Sequence, residues 1–202
     1  MRYKLIIIAV TILALSFQSQ EKTILFFGDS LTAGYGLSPE EAFPALVEKQ
    51  FHKEGKKVKV INAGLSGETS AGGLSRIDWT LRQPIDIFVL ELGANDGLRG
   101  LPLDQTKKNL QAIIDKVRAK YPRVRIVLAG MMVPPNMGKL YSDGFQKIYP
   151  ALAEKNQAGL IPFLLEGVAG IEKLNQADGI HPNPEGHRIV ANNLSRYLQK
   201  LI

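Results

Sequence analysis

Five short runs of almost uninterrupted apolar residues, separated by segments long enough for helices, constrain the fold of this chain more than any other feature. The runs occupy residues 23–27, 58–61, 85–92, 124–129 and 160–164. Strands that are buried on both faces of a parallel sheet give continuous apolar runs, whereas half-exposed strands alternate apolar and polar residues. The sequence therefore predicts a five-stranded parallel sheet that is covered on both sides.

Helix-length segments lie between these predicted strands. One helix is predicted after Ser38, with Ser38 as the capping residue, a proline in the first turn and Glu41 three residues past the cap. Others are predicted over about 69–82, 103–120, 143–157 and 184–201. Alternating strands and helices predict a doubly wound, three-layer α/β/α fold. No internal repeat or linker interrupts the pattern, so residues 21–202 are expected to form one domain.

The first twenty residues have the pattern of a secretory signal peptide. Arg2 and Lys4 precede an apolar run over residues 5–15, and small or polar residues follow up to Gln20. The run is shorter than the roughly 20 apolar residues that span a bilayer. Residues 1–20 are therefore predicted to be a signal peptide with an ill-defined cleavage site. The protein is expected to be exported, periplasmic or secreted, without stable membrane insertion after signal removal. An uncleaved membrane anchor is the alternative.

Composition excludes several kinds of chemistry. The chain has 202 residues, no cysteine and three histidines, which excludes disulfides and cysteine-ligated metals and disfavours a histidine-rich metal site. The formal net charge is +6, but the basic residues form no stripe interleaved with aromatic residues. No nucleic-acid partner is therefore predicted.

Four short polar segments follow the predicted strands or precede the last helix. They are Gly-Asp-Ser at 28–30, Ser-Gly-Glu-Thr at 66–69, Gly-Ala-Asn-Asp at 93–96 and Asp-Gly-Ile-His-Pro at 178–182. In doubly wound folds, ligands bind where strands end and helices begin. We therefore expect these segments to form one active site.

A nucleophile, a base and a group that orients the base are present in these segments. Serine is a poor nucleophile until a base takes its proton, and His181 is the best candidate base for Ser30. Asp178 lies three residues earlier and can reach the second ring nitrogen of His181 around a tight turn. The backbone amides of Ser30 and Gly67 and the side-chain amide of Asn95 are predicted to bind the oxyanion.

In this order, the four segments resemble the conserved blocks of the SGNH (GDSL) hydrolase family, which centre on Ser, Gly, Asn and His. The resemblance runs from about residue 22 to the last helix and is strongest with the secreted bacterial thioesterase, lysophospholipase and arylesterase group. It implies a flavodoxin-like SGNH fold, no cofactor or metal, and hydrolysis of carboxylic esters and acyl thioesters through a Ser-His-Asp triad. The sequence departs from the pattern at Ala94, where relatives often carry glycine.

The segment after the fourth predicted strand is rich in methionine and proline. Methionine adapts to irregular apolar partners, so this segment is predicted to form one wall of an acyl-chain groove. The candidate residues are Met131, Met132, Val133, Pro134, Pro135, Met137 and, from another segment, Leu98. A packed connection between strand and helix is an equally good interpretation. The apolar residues Phe163, Leu164 and Leu165 are assigned to the core.

Four other polar residues receive structural interpretations. Asp29 and Asp96, each beside a predicted catalytic residue, are expected to accept hydrogen bonds from loop N–H groups. His187 is expected on the surface of the last helix rather than in a metal site, and His52 is expected to face solvent.

The sequence thus predicts an exported, monomeric serine hydrolase that acts on small acyl esters or thioesters. One alternative is a carbohydrate O-deacetylase of the same fold, which would need an aromatic platform; Trp79 is the only tryptophan in the chain. Another is a non-catalytic envelope binding protein, which would not require all five predicted site residues.

Overall fold

The computed structural model describes residues 21–202, apart from the side chain of Pro135, and has the predicted α/β/α architecture. The predicted signal peptide, residues 1–20, lies outside the described residues. Within them, five parallel strands form one sheet in the order β2-β1-β3-β4-β5. The strands are β1 (Lys22–Gly28), β2 (Val58–Gly64), β3 (Ile87–Glu91), β4 (Arg125–Ala129) and β5 (Gly159–Ile161).

The central strands of the sheet carry the core. Every residue of β3 is buried, and residues 24–27 of β1 are fully inaccessible to solvent, as required of strands with both faces covered. The predicted end of the fifth strand is wrong: the strand was expected to reach residue 164, but β5 ends at Ile161. Pro162 follows directly after β5 and has no N–H to donate to a neighbouring strand.

Eight α-helices occur in the described part of the chain. They are α1 (Ser30–Ala33), α2 (Phe43–Lys53), α3 (Ser70–Thr80), α4 (Ala94–Leu98), α5 (Leu103–Lys120), α6 (Lys139–Gln146), α7 (Ile148–Asn156) and α8 (Pro184–Leu198). Short 3-10 turns occur at Pro135–Met137, Glu172–Leu174 and Gln199–Leu201. No helix of residues 21–202 is long and apolar enough to cross a membrane.

Two helix predictions are corrected by the structure. Ser38 does not cap α2, because α2 begins only at Phe43 and its N-cap is Ala42. The carboxylate of Glu41 instead accepts hydrogen bonds from the N–H and hydroxyl of Ser38 in a turn before the helix. The predicted helix over 143–157 is two helices, α6 and α7. Pro150 in the first turn of α7 cannot donate to the carbonyl of Gln146, so one continuous helix cannot form there.

The strand order places a crevice above the centre of the sheet. From β1 the chain crosses to β2 on one side and then to β3 on the other. The connections that leave β1 and β3 therefore diverge, and the carboxyl ends of these two strands flank an open crevice. In doubly wound folds this switch point is where ligands bind.

His187 is buried, and the prediction that it lies on the surface is wrong. Its side chain is 1% exposed, because α8 packs against α2. The Nδ1 atom accepts a hydrogen bond from the backbone N–H of Phe43 at 3.0 Å, and the two rings stack at 5.9 Å. The first N–H groups of a helix have no partner within the helix, and Ala42 has no side-chain acceptor to cap α2. His187 fills that role from another helix.

The burial of His187 makes stability depend on pH in a defined direction. Burial lowers the pKa of its imidazole to about 4, against about 6.5 in an unfolded chain. Because the unfolded chain then takes up a proton that the folded protein does not, we expect His187 alone to lower the free energy of unfolding by about 3 kcal/mol as the pH drops from about 7 to about 4.

Urea unfolding of the wild-type protein and of His187→Asn at both pH values measures this contribution. Asparagine offers an acceptor to the N–H of Phe43 but does not titrate. Between the two pH values, the free energy of unfolding of the variant should therefore change by about 3 kcal/mol less in the destabilising direction than that of the wild type. An equal loss in the two proteins would show that His187 does not carry the pH dependence.

Candidate active site

The four polar segments meet at the carboxyl edge of the sheet. Ser30 opens α1 directly after β1, Gly67 lies in the loop after β2, and Asn95 lies in the first turn of α4 after β3. His181 lies just before α8. These four residues line one cavity, so the structure brings the predicted segments together.

Ser30, His181 and Asp178 form a continuous chain of hydrogen bonds. The Nε2 atom of His181 lies 2.9 Å from the Oγ atom of Ser30, and its Nδ1 atom lies 2.7 Å from the Oδ2 atom of Asp178. The histidine side chain is 17% exposed and the aspartate side chain 38% exposed. Both distances fall in the range of good hydrogen bonds.

A tight turn holds Asp178 in its position. Its Oδ1 atom accepts the backbone N–H groups of Ile180 and His181, both at 3.0 Å, and Gly179 has a φ of +73°, which favours glycine. The hydrogen bonds from the side chain and backbone of His181 lower the pKa of Asp178 to about 2. The carboxylate is therefore ionised at neutral pH, which favours a proton on Nδ1 of His181 and leaves Nε2 free to accept from Ser30.

The predicted oxyanion donors Gly67 and Asn95 line the cavity together with Ser30. Gly67 has a φ of +78°, and a Cβ at this position would meet nothing within 4 Å. The positive φ favours glycine at this position. Gly93 has a φ of +116° and supplies the left-handed residue before α4. Ala94 can accordingly take an ordinary helical conformation.

The cavity has a volume of about 650 Å³ and is lined largely by apolar side chains. Five of the predicted groove residues line it: Leu98, Met131, Met132, Val133 and Pro134. Met137 does not, because the chain turns at Pro135–Met137 and Met137 packs against the core instead. The side chain of Pro135 lies outside the described part of the structure.

Leu164 and Leu165 are buried in the core as predicted, and Phe163 packs against it; Phe163 and Leu165 also line the cavity. They follow β5 as the other site segments follow their strands. The proline at position 162 was the sequence signal that the strand ends there. Ala169, Gly170 and Ile180 also line the cavity, and no local sequence pattern marked them as site residues.

Two residues around His181 were missed by the sequence analysis. The ring of Tyr35 lies 4.7 Å from the imidazole ring, centroid to centroid. The Nε2 atom of Gln176 donates to the carbonyls of Tyr35 at 2.7 Å and Pro182 at 3.0 Å, and its backbone N–H donates to the carbonyl of His181 at 2.7 Å. Gln176 thus ties the His181 loop to the loop that follows Ser30.

Two buried aspartates flank the site as predicted. Asp96 accepts hydrogen bonds from Ser70 and Thr106, and Asp29 accepts the backbone N–H of Leu31. His52 is exposed, although its Nε2 atom lies 2.6 Å from the carbonyl of Val58. Among residues 21–202, no three His, Asp or Glu side chains form a group that could hold a metal ion.

A hydrogen-bonded Ser-His-Asp arrangement at the switch point of a 2-1-3-4-5 parallel sheet defines the architecture of an SGNH hydrolase. The GDSL-like lipase/acylhydrolase family matches residues 26–189. The esterase TesA of Pseudomonas aeruginosa is 40% identical over 90% of both chains. An arylesterase of Vibrio mimicus is 41% identical over 91% of this chain and 90% of its own.

Further relatives agree in sequence and structure. A protein of Escherichia coli K12 named thioesterase 1/protease 1/lysophospholipase L1 is 39% identical over 89% of this chain and 85% of its own. The crystal structure of TesA matches with a TM-score of 0.85 at 39% identity, covering 90% of this chain and 100% of that chain. The chain belongs to the GDSL-like lipase/acylhydrolase family. It is an ester hydrolase of the esterase, arylesterase and thioesterase type.

Proposed function

We propose that this protein is an exported serine hydrolase that cleaves carboxylic esters and acyl thioesters with an apolar acyl chain. The observation that carries the proposal is the Ser30–His181–Asp178 hydrogen-bond chain, whose serine and histidine line an apolar cavity. Export is inferred from the signal-peptide pattern of residues 1–20. The arylesterase and thioesterase names of the relatives support small acyl compounds as substrates.

The first half of the reaction forms an acyl-enzyme. His181 removes the proton of Ser30 through Nε2 while Oγ attacks the substrate carbonyl carbon. The developing imidazolium is stabilised by the ionised carboxylate of Asp178. The negative charge on the carbonyl oxygen is met by the backbone N–H groups of Ser30 and Gly67 and by the amide of Asn95. His181 then gives its proton to the departing alcohol or thiol, which leaves the acyl group on Ser30.

The second half of the reaction repeats these steps with water. His181 takes a proton from a water molecule, whose oxygen attacks the acyl carbon, and the same donors bind the second oxyanion. The proton returns to Oγ of Ser30 as the carboxylic acid leaves. The chemistry needs only residues of this chain and water.

The lining of the cavity favours an acyl chain over a sugar. Trp79, the aromatic platform that a carbohydrate deacetylase would need, lies exposed on α3 beneath the guanidinium of Arg82 and does not line the cavity. The cavity that Ser30 lines is instead walled by apolar residues that include Leu98, Met131 and Val133. Apolar contacts of this kind stabilise a chain by about 0.8 kcal/mol per buried methylene.

Hydrolysis of p-nitrophenyl esters from acetate to palmitate tests the proposal. We expect kcat/KM to rise from the two-carbon ester to medium or long chains, because each further methylene removes apolar surface from water. Activity restricted to acetate would favour the deacetylase. No activity on any ester, and no labelling by a fluorophosphonate, would favour the binding protein.

A substitution in the apolar wall should change chain-length preference alone. Met132→Gln replaces an apolar side chain at the cavity with a polar one of similar length, so kcat/KM should fall about three- to tenfold for long-chain esters and stay unchanged for acetate. Leu140→Gln is the matched control, because Leu140 is 90% exposed and does not line the cavity. A similar loss in both variants, or a loss with acetate as well, would contradict the assigned acyl wall.

A further inference from the structure

The carboxylate of Asp29 joins the proposed nucleophile to a proposed oxyanion donor. Asp29 is fully buried and directly precedes Ser30. Its Oδ1 atom accepts the backbone N–H of Leu31 at 3.0 Å, and its Oδ2 atom accepts the side-chain Nδ2 of Asn95 at 3.0 Å. One side chain therefore contacts both the turn after β1 and the turn after β3.

The contact with Asn95 matters because a side-chain amide has a donor end and an acceptor end. With Nδ2 toward the cavity, one hydrogen binds Asp29 and the second is free for the oxyanion of the substrate. With the amide reversed, Oδ1 would face the oxyanion and repel it. An ionised carboxylate only accepts hydrogen bonds, so Asp29 stabilises the donor orientation and opposes the reversed one.

Hydrogen bonds hold Asp29 in place, and at mildly alkaline pH its carboxyl group is ionised. Burial raises the pKa of Asp29 to about 6, so the group is an acceptor at pH 8. Beneath it lies a second fully buried carboxyl group, Glu91, whose pKa burial raises well above its usual range. The Oε2 atom of Glu91 accepts the backbone N–H of Asp29 at 3.2 Å and the hydroxyl of Thr32 at 2.7 Å. These contacts fix the turn that carries Asp29.

We propose that Asp29 is a positioning residue whose carboxylate orients the Asn95 amide so that its N–H faces the oxyanion. The inference rests on the proposed function, in which Asn95 is an oxyanion donor. The competing explanation is that Asp29 only caps α1 through the N–H of Leu31. The two roles use different oxygen atoms of the same carboxylate, so they can be separated by substitution.

Asp29→Ser separates them because serine is a good helix cap but is shorter. Its hydroxyl can still accept the N–H of Leu31, whereas the contact with Asn95 is lost. If Asp29 acts through Asn95, kcat at pH 8 should fall about ten- to a hundredfold with KM little changed, which is less than the roughly 10²- to 10³-fold loss for removing an oxyanion donor outright.

A double-mutant cycle with Asn95→Ala identifies the route of the effect. Once Asn95 is gone there is no amide to orient, so adding Asp29→Ser to Asn95→Ala should lower kcat no further. The proposal is overturned if the two losses multiply, if Asp29→Ser leaves kcat unchanged, or if it raises KM alone. If Asn95→Ala itself leaves kcat unchanged, the oxyanion role in the proposed function fails, and this outcome is distinct from the others.

Two further variants keep the test decisive. Asp29→Asn preserves the shape of the side chain but faces two donors with only one acceptor, so the same cycle can be run if the serine variant does not fold. Ile77→Val is the control for stability, because Ile77 is fully buried in α3 and does not line the cavity, so removing one buried methyl group destabilises the fold without touching the site. Its kcat should equal that of the wild type. A similar loss of kcat in Ile77→Val would attribute the effect to instability and overturn the proposal.

Discussion

Ser30→Ala is expected to lower kcat for p-nitrophenyl esters by about 10⁶-fold, to the level left by binding and oxyanion stabilisation alone. The Oγ atom of Ser30 is the atom 2.9 Å from Nε2 of His181, and alanine leaves no atom that can form the acyl-enzyme. The free energy of unfolding should change little, since Ser30 is only half-buried. Steady-state assays and urea unfolding of the repurified variant measure both quantities.

A matched serine variant shows whether the loss is specific. Ser75→Ala removes a hydroxyl from the exposed face of α3, where it donates only to the carbonyl of Gly72, and should leave kcat at the wild-type value. Fluorophosphonate should label the wild type and Ser75→Ala but not Ser30→Ala. Retention of most of the activity by Ser30→Ala would refute the proposed nucleophile.

Asp178→Asn should lower kcat by about 10⁴-fold while preserving the shape of the site. The carboxylate now accepts the Nδ1 proton of His181 at 2.7 Å. The amide of the Asp178→Asn variant can turn its N–H toward Nδ1 of His181. Nδ1 then accepts this hydrogen bond instead of donating one, and the imidazole proton moves to Nε2. That nitrogen can no longer take the proton of Ser30, so the base is lost although every residue remains in position. Assays over the pH range 6–9 measure kcat.

The matched control is Asp143→Asn, which changes an exposed aspartate of α6 that pairs with Lys139. It should leave kcat at the wild-type value, because a surface ion pair contributes little even to stability. A loss of less than about tenfold in Asp178→Asn would mean that Asp178 neither selects the tautomer nor stabilises the imidazolium.

The sequence predicted the sheet and the site from the same local signals. Continuous apolar runs marked β1 and β3, because both faces of these strands are covered. The short polar segment at the end of each run marked the carboxyl edge, where Ser30 and Asn95 lie. Asp178 and His181 could be paired because three residues around a glycine turn are enough to join them.

Long-range contacts explain what the sequence did not predict. Nothing local distinguishes His187 from an exposed helical histidine, since its partner Phe43 lies 144 residues earlier. Gln176 contacts the carbonyl of Tyr35 across 141 residues. The second contact of Asp29, with Asn95, also depends on the order of strands in the sheet. Hydrogen bonds between distant loops leave no periodicity or spacing in the sequence.

The distance along the chain between Ser30 and His181, 151 positions, has a consequence for biosynthesis. The ribosome synthesises Ser30, the proposed nucleophile, near the start of the domain and His181, the proposed base, near its end. A nascent chain therefore has a serine without a base until nearly the whole protein has been made, and α8 must then dock against α2. We therefore expect no hydrolytic activity while the protein is being synthesised. A product truncated before residue 178 should keep the apolar strands but should also lack hydrolytic activity.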